Sequence, residues 1–145
     1  MPKTVESLIA ELNAFAPHRS DSVSNQAFLY PLTAALQDAK DADRAVAPIF
    51  EFLERYPVSH LGTPGPLVLF LESRPKYQEA LIASLERRPT LYAIEMANRI
   101  MSAGLPPEQA RFWLERLKAA ADHPLAGESE RETASKFVKL QRRWL

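Results

Sequence analysis

The chain has 145 residues, 46% of them hydrophobic, with 12 prolines, four glycines and no cysteine. That is the usual size of one domain with enough apolar matter for a core, and it excludes a disulfide framework and a thiolate metal site. Eighteen basic residues balance 18 acidic ones, which argues against a nucleic-acid binder, because counterion release from phosphates needs a cationic face.

The charge is mildly uneven along the chain. Residues 1–60 carry 5 Lys and Arg against 8 Asp and Glu, and residues 61–145 carry 13 against 10. The compact basic cluster Lys136, Lys139, Arg142 and Arg143 reads as a solvated helix face. Glu6 and Glu11 interrupt the first apolar segment, so no secretory leader is expected. The longest apolar run, Pro66–Leu71, is too short to cross a bilayer. A soluble cytoplasmic protein without membrane contact is the expectation.

Taken in chain order, helical periodicity dominates. Val5, Leu8, Ile9, Leu12 and Phe15 form one stripe, with Thr4 as N-cap. A polar linker from His18 to Ser24 is expected before a second helix over 25–39, kinked at Pro31, which removes a donor. Asp41 is a candidate cap for a third helix, with Val46, Ile49, Phe50, Leu53 and Tyr56 inward and Pro57 as terminator. The segment VSHLGTPGPLVLFLE follows at 58–72. There Gly62 permits a turn, Pro64 or Pro66 opens a helix, and Leu67 to Leu71 are expected to enter the core. Tyr77, Leu81, Ile82 and Leu85 line the next helix, which Pro89 closes. Thr90 caps another, buried through Ala93, Ile94, Ala97, Ile100 and Met101, with Gly104 as a left-handed stop. Ala110, Trp113, Leu114, Leu117 and Ala121 line the seventh. The last helix carries Phe137, Leu140 and Trp144.

Strand signals are confined to Leu67–Leu71, which lacks a partner. The expectation is an all-α single domain over 1–145, a compact bundle of about seven to eight helices. Leu-Glu-Arg recurs at 53–55, 85–87 and 114–116, each expected toward the end of an odd-numbered helix. That spacing suits solenoid-like, HEAT-like stacking of helix pairs.

Chemistry is hard to find. Gly65 is followed by Pro66, which lacks the N–H a phosphate cradle uses, and no Gly-Lys-Ser/Thr follows. His18, His60 and His123 lie in loops or beside prolines without ligand spacing, so they read as loop or capping histidines and no metal site is expected. No Gly-x-Ser-x-Gly elbow accompanies Ser59-His60. The clusters Glu51/Glu54 and Glu128/Glu130/Glu132 read as solvated faces. No catalytic residue and no cofactor is expected. One polar stripe, Glu95, Asn98, Arg99 and Ser102, shares a helix face with an i, i+4 ion pair. It reads as an exposed face or a partner-binding one with Arg99 as anchor.

The central third carries a resemblance. Gly62-Thr63-Pro64-Gly65-Pro66-Leu67-Val68, then Leu71-Glu72, Tyr77, Leu81, Ser84-Leu85, Arg88-Pro89-Thr90 and Met96-Ala97-Asn98-Arg99-Ile100 resemble small bacterial immunity proteins of polymorphic or contact-dependent growth-inhibition toxin systems. The likeness covers about residues 57–104. In that group a histidine usually follows the Leu-Val pair by one or two positions. Leu69 and Phe70 stand there in this chain, and His60 is not its positional equivalent. The resemblance implies a compact helical protein that binds the C-terminal domain of a cognate toxin and occludes it stoichiometrically. The residues expected to make contact are Tyr56, His60, Glu72, Tyr92, Glu95 and Arg99. The rivals are a helical scaffold binding a peptide in a concave groove and a hydrolase using His60.

Overall fold

The computed structural model describes residues 3–143. Among these residues the chain is all-helical, with eight α-helices, one 3₁₀ turn and no strand. It divides into two compact units between Ala80 and Leu81.

The first unit opens with α1 (Val5–Ala14). The Thr4 hydroxyl accepts from the Ser7 N–H at 3.1 Å, and Val5, Leu8 and Leu12 are buried. Ile9 and Phe15 are only half-buried. The next helix, α2 (Ser22–Asp38), starts three residues before the position expected from periodicity. Asp21 is the reason: its carboxylate accepts from the Ser24 N–H at 3.0 Å and the Ser24 hydroxyl at 2.7 Å. Pro31 lies inside this helix on the exposed side, where water can satisfy the carbonyl it deprives of a donor.

Asp41 does not cap the third helix as expected. It adopts a left-handed conformation, φ 60°, with no capping hydrogen bond. A 3₁₀ turn over Ala42–Ala45 precedes α3 (Val46–Arg55). Val46, Ile49, Phe50 and Leu53 are buried as the stripe predicts, while Tyr56 is half-buried at the helix end. Phe52, outside that stripe, is also fully buried.

The Gly-Pro segment resolves into backbone geometry. Gly62 has φ +116° and Gly65 φ +87°. A Cβ on Gly65 would stand 2.2 Å from the Leu61 carbonyl oxygen, and one on Gly62 2.4 Å from the Gly65 Cα. Two backbone strands pass too closely for any side chain, and both turns need the left-handed region. Pro66, rather than Pro64, occupies the first position of α4 (Pro66–Glu72). Leu67, Val68, Phe70 and Leu71 are buried, but Leu69 is 50% exposed. A helix cannot turn every residue of an apolar run inward, so one of the five faces water.

Within this unit α1 packs on α2 and α3, and α4 packs on α2 and α3. Arg44 pairs with Glu6, and Arg74 pairs with Asp43 at 2.6 Å. The unit boundary falls inside α5 (Tyr77–Arg87). On this helix Leu81, Ser84 and Leu85 are buried, with Tyr77 and Ile82 half-buried.

The second unit contains α6 (Leu91–Ser102), α7 (Pro107–Ala121) and α8 (Glu128–Arg142), each packed on the other two. The Thr90 hydroxyl caps α6 by accepting from the Ala93 N–H at 3.1 Å. Its inner face is Ala93, Ile94, Met96, Ala97, Ile100 and Met101, and Gly104 follows at φ +86°. On α7 the buried residues are Ala110, Trp113, Leu114, Leu117 and Ala120, with Ala121 half-buried.

The largest apolar residues of α8 are not its most buried ones. Glu130, Ala134 and Val138 are the buried residues, whereas Phe137 is half-buried and Leu140 is 40% exposed. Trp144 lies outside the described residues. Glu130 is no solvated carboxylate. It sits at the third helical position and folds back over Gly127, where an added Cβ would come within 2.6 Å of its Oε2. Of the three Leu-Glu-Arg triplets, two close α3 and α5 as expected, but 114–116 lies in the middle of α7.

Candidate partner-binding surfaces

The turn after α3 is built from residues 56–61. The Ser59 N–H bonds to the Tyr56 carbonyl at 3.2 Å, and the His60 N–H reaches the Arg19 carbonyl at 2.8 Å. Ser59 points inward, while Val58 and His60 are exposed. Asn25, fully buried on α2, locks this arrangement. Its Nδ2 donates to the His18 carbonyl at 2.7 Å and the His60 carbonyl at 2.8 Å. Its Oδ1 accepts from the His18 N–H at 2.8 Å. One carboxamide therefore fastens two loops to one helix, and the exposed side chains stand on a fixed backbone.

Tyr56 closes an aromatic series. Phe28 stacks on Phe15 with centroids 4.1 Å apart, Phe15 on Phe52 at 6.3 Å, and Phe52 meets Tyr56 at 5.0 Å with the rings tilted by 50°. Phe28 is partly exposed and Phe52 fully buried, so the series runs from surface to core and back to a half-buried Tyr56. The Arg55 guanidinium lies 5.6 Å from the Phe52 centroid and donates to Asn13 Oδ1 at 3.0 Å. Arginine and aromatic side chains are enriched among the residues that carry binding energy at protein interfaces.

The six residues singled out from sequence divide between the units. Tyr56, His60 and Glu72 belong to the first; Tyr92, Glu95 and Arg99 belong to the second. Tyr56 and His60 share the anchored turn. Glu72 ends α4 half-buried. On α6, Tyr92 and Glu95 are half-buried and Arg99 is exposed. Burial pushes the Glu95 carboxyl above its ordinary range, and the Arg99 charge one turn away partly offsets this. The rest of that polar stripe, half-buried Asn98 and exposed Ser102, is bonded within the protein itself. Gln141 Nε2 on α8 donates to Asn98 Oδ1 at 2.8 Å and to Ser102 Oγ at 3.1 Å.

His123 is a capping histidine, as its loop position suggests. Its Nδ1 accepts from the Leu125 N–H at 3.0 Å, so the proton sits on Nε2, which donates to the Glu86 carbonyl at 2.6 Å. Sequence reasoning missed Asn25, Phe28 and Phe52. Phe28 and Phe52 carry a usable signal, since aromatic residues seldom stand idle beside an apolar stripe. Asn25 carries none, because a buried carboxamide looks like a surface one until its partners are known. No known protein family, curated protein or solved structure matches the chain.

Proposed function

We propose that this chain is a toxin-neutralising immunity protein, which binds a cognate toxin domain and occludes it without turning over a substrate. The observation that carries the reading is the linked motif order from Gly62 to Ile100. The anchored turn adds to it: Asn25 holds the His60 carbonyl and the Ser59 N–H bonds to the Tyr56 carbonyl, so little ordering entropy is lost when the side chains of this turn meet a partner. The first unit suits a basic toxin surface, since residues 1–80 hold 7 Lys and Arg against 10 Asp and Glu.

A second reading, a scaffold that takes a peptide, is favoured by one feature of the second unit. A groove of about 620 Å³ is lined by Met101, Leu105, Pro107, Ala110, Arg111 and Gln141, among others. That volume lies within the range of ligand-binding clefts.

The test is co-expression with the C-terminal domain of a toxin encoded by the neighbouring gene. Growth rescue and co-purification are expected, with His60→Ala leaving the protein folded and weakening binding only if His60 touches the toxin. No rescue and no co-purification would overturn the reading. Displacement of a groove-bound peptide by variants of Met101 or Arg111, without any toxin complex, would favour the scaffold.

A further inference from the structure

The second helix is apolar on two opposite faces. Leu29, Leu32 and Leu36 are buried against the unit. Val23, Ala27, Tyr30 and Ala34, spaced i, i+4, i+7 and i+11, form a narrow stripe on the other side, and all four are exposed. Val23 is 80% exposed and Tyr30 49%. Residues 22–37 contain no charged side chain, although a quarter of the whole chain is charged. A surface helix ordinarily carries charge on its outer face. Depletion of charge together with an aromatic residue marks the centre of a protein interface.

We propose that this stripe pairs antiparallel with the same stripe of a second copy of the chain. The pattern is self-complementary about a twofold axis between Ala27 and Tyr30, as an isologous interface requires. Tyr30 then faces the partner's Ala27, and Val23 faces the partner's Ala34, so each large side chain meets a small one. The ends match as well. Arg19 and Asp21 flank the helix start, and Asp38 and Lys40 flank its end. Antiparallel pairing brings Arg19 toward the partner's Asp38 and Lys40 toward the partner's Asp21. Arg19, Asp38 and Lys40 make no side-chain ion pair among the described residues, so their charges are available. Opposed helix dipoles favour the same orientation. A parallel arrangement would set Tyr30 against the partner's Tyr30 and like charges against like.

A lipid surface suits the stripe less well. Membrane-seated helices carry Lys and Arg along the polar face, and α2 has none. The pairing goes beyond the proposed toxin complex and does not depend on it.

The experiment is sedimentation equilibrium of the full chain up to about 1 mM. One helix pair buries less than an obligate dimer needs, so association in the micromolar range or weaker is expected. Tyr30→Glu should weaken it by at least about tenfold with the helical circular dichroism unchanged, and Ala34→Glu should do the same. Arg19→Asp and Asp38→Arg should each weaken it, and the double exchange should restore it. A chain monomeric throughout, or a dimer indifferent to Tyr30→Glu and Ala34→Glu, overturns the proposal. A double exchange that fails to restore association overturns the antiparallel pairing. A monomer whose α2 amides are protected from exchange only by the toxin domain assigns the face to that partner instead.

Discussion

At the scale of single residues, three positions hold more than their side-chain size suggests. Asn25 is fully buried and satisfies both ends of its amide, and removing it strands backbone groups of two loops. Asn25→Ala should cost about 2–4 kcal/mol in urea unfolding; a loss below ~1 kcal/mol would mean that water replaces the amide. Gly65→Ala should cost more than about 2 kcal/mol, because the new Cβ meets backbone at a positive φ and nothing flexible can yield. Thermal melts of that variant check it, with Gly104→Ala as a comparison, where a Cβ meets nothing within 4 Å. Glu95 is held above its ordinary 4.5 mainly by burial. The folded state therefore keeps the proton to higher pH than the unfolded chain, and stability falls as pH rises from that value through the raised one. Glu95→Gln should flatten this fall between pH 4 and 8. It should stabilise the neutral protein by less than about 1 kcal/mol, because the carboxyl is half-exposed and solvent screens it. Melting curves across that range that superpose for the two proteins would contradict the argument.

At the scale of elements, caps set the boundaries and packing chooses the faces. Asp21 explains the early start of α2. Its carboxylate lies below its ordinary 3.8, first through the Ser24 backbone N–H and then through the Ser24 hydroxyl. A lowered folded value means that the contribution is present above 3.8 and lost as pH falls through the folded value. Asp21→Asn keeps a capping oxygen that does not titrate, so melts taken between pH 2 and 5 should decline less steeply for the variant. Equal declines would mean that the cap contributes nothing in acid. The α1 and α6 caps, Thr4 and Thr90, were readable because a hydroxyl just before an apolar-periodic run is a local signal. Asp41 carries the same local signal and fails. The chain there turns left-handed into a 3₁₀ segment, and the carboxylate cannot reach an open N–H. Leu69 and Leu140 show the matching limit for faces: their apolar character is plain in the sequence, but the side they occupy is not.

At the scale of the whole molecule, the chain divides into two compact units, with Phe50, Phe52 and Phe70 buried in the first and Trp113, Leu117 and Ala134 buried in the second. Phe52→Ala should destabilise the first by about 3–5 kcal/mol. Hydrogen exchange should then speed up across residues 3–80 more than across 81–143, whereas uniform acceleration would mean one cooperative unit. The sequence by itself determined the all-helical class, the terminators Pro57, Pro89 and Gly104, and most of the inward stripes. Those depend on hydrogen bonding and side-chain spacing within four residues, which any local stretch displays. Only the tertiary structure decided that Asn25 and Glu130 are buried, that Phe15, Phe28, Phe52 and Tyr56 meet, and that α2 keeps an apolar face uncovered. Burial belongs to pairs of elements remote in the chain, and no single stretch contains the partner that settles it.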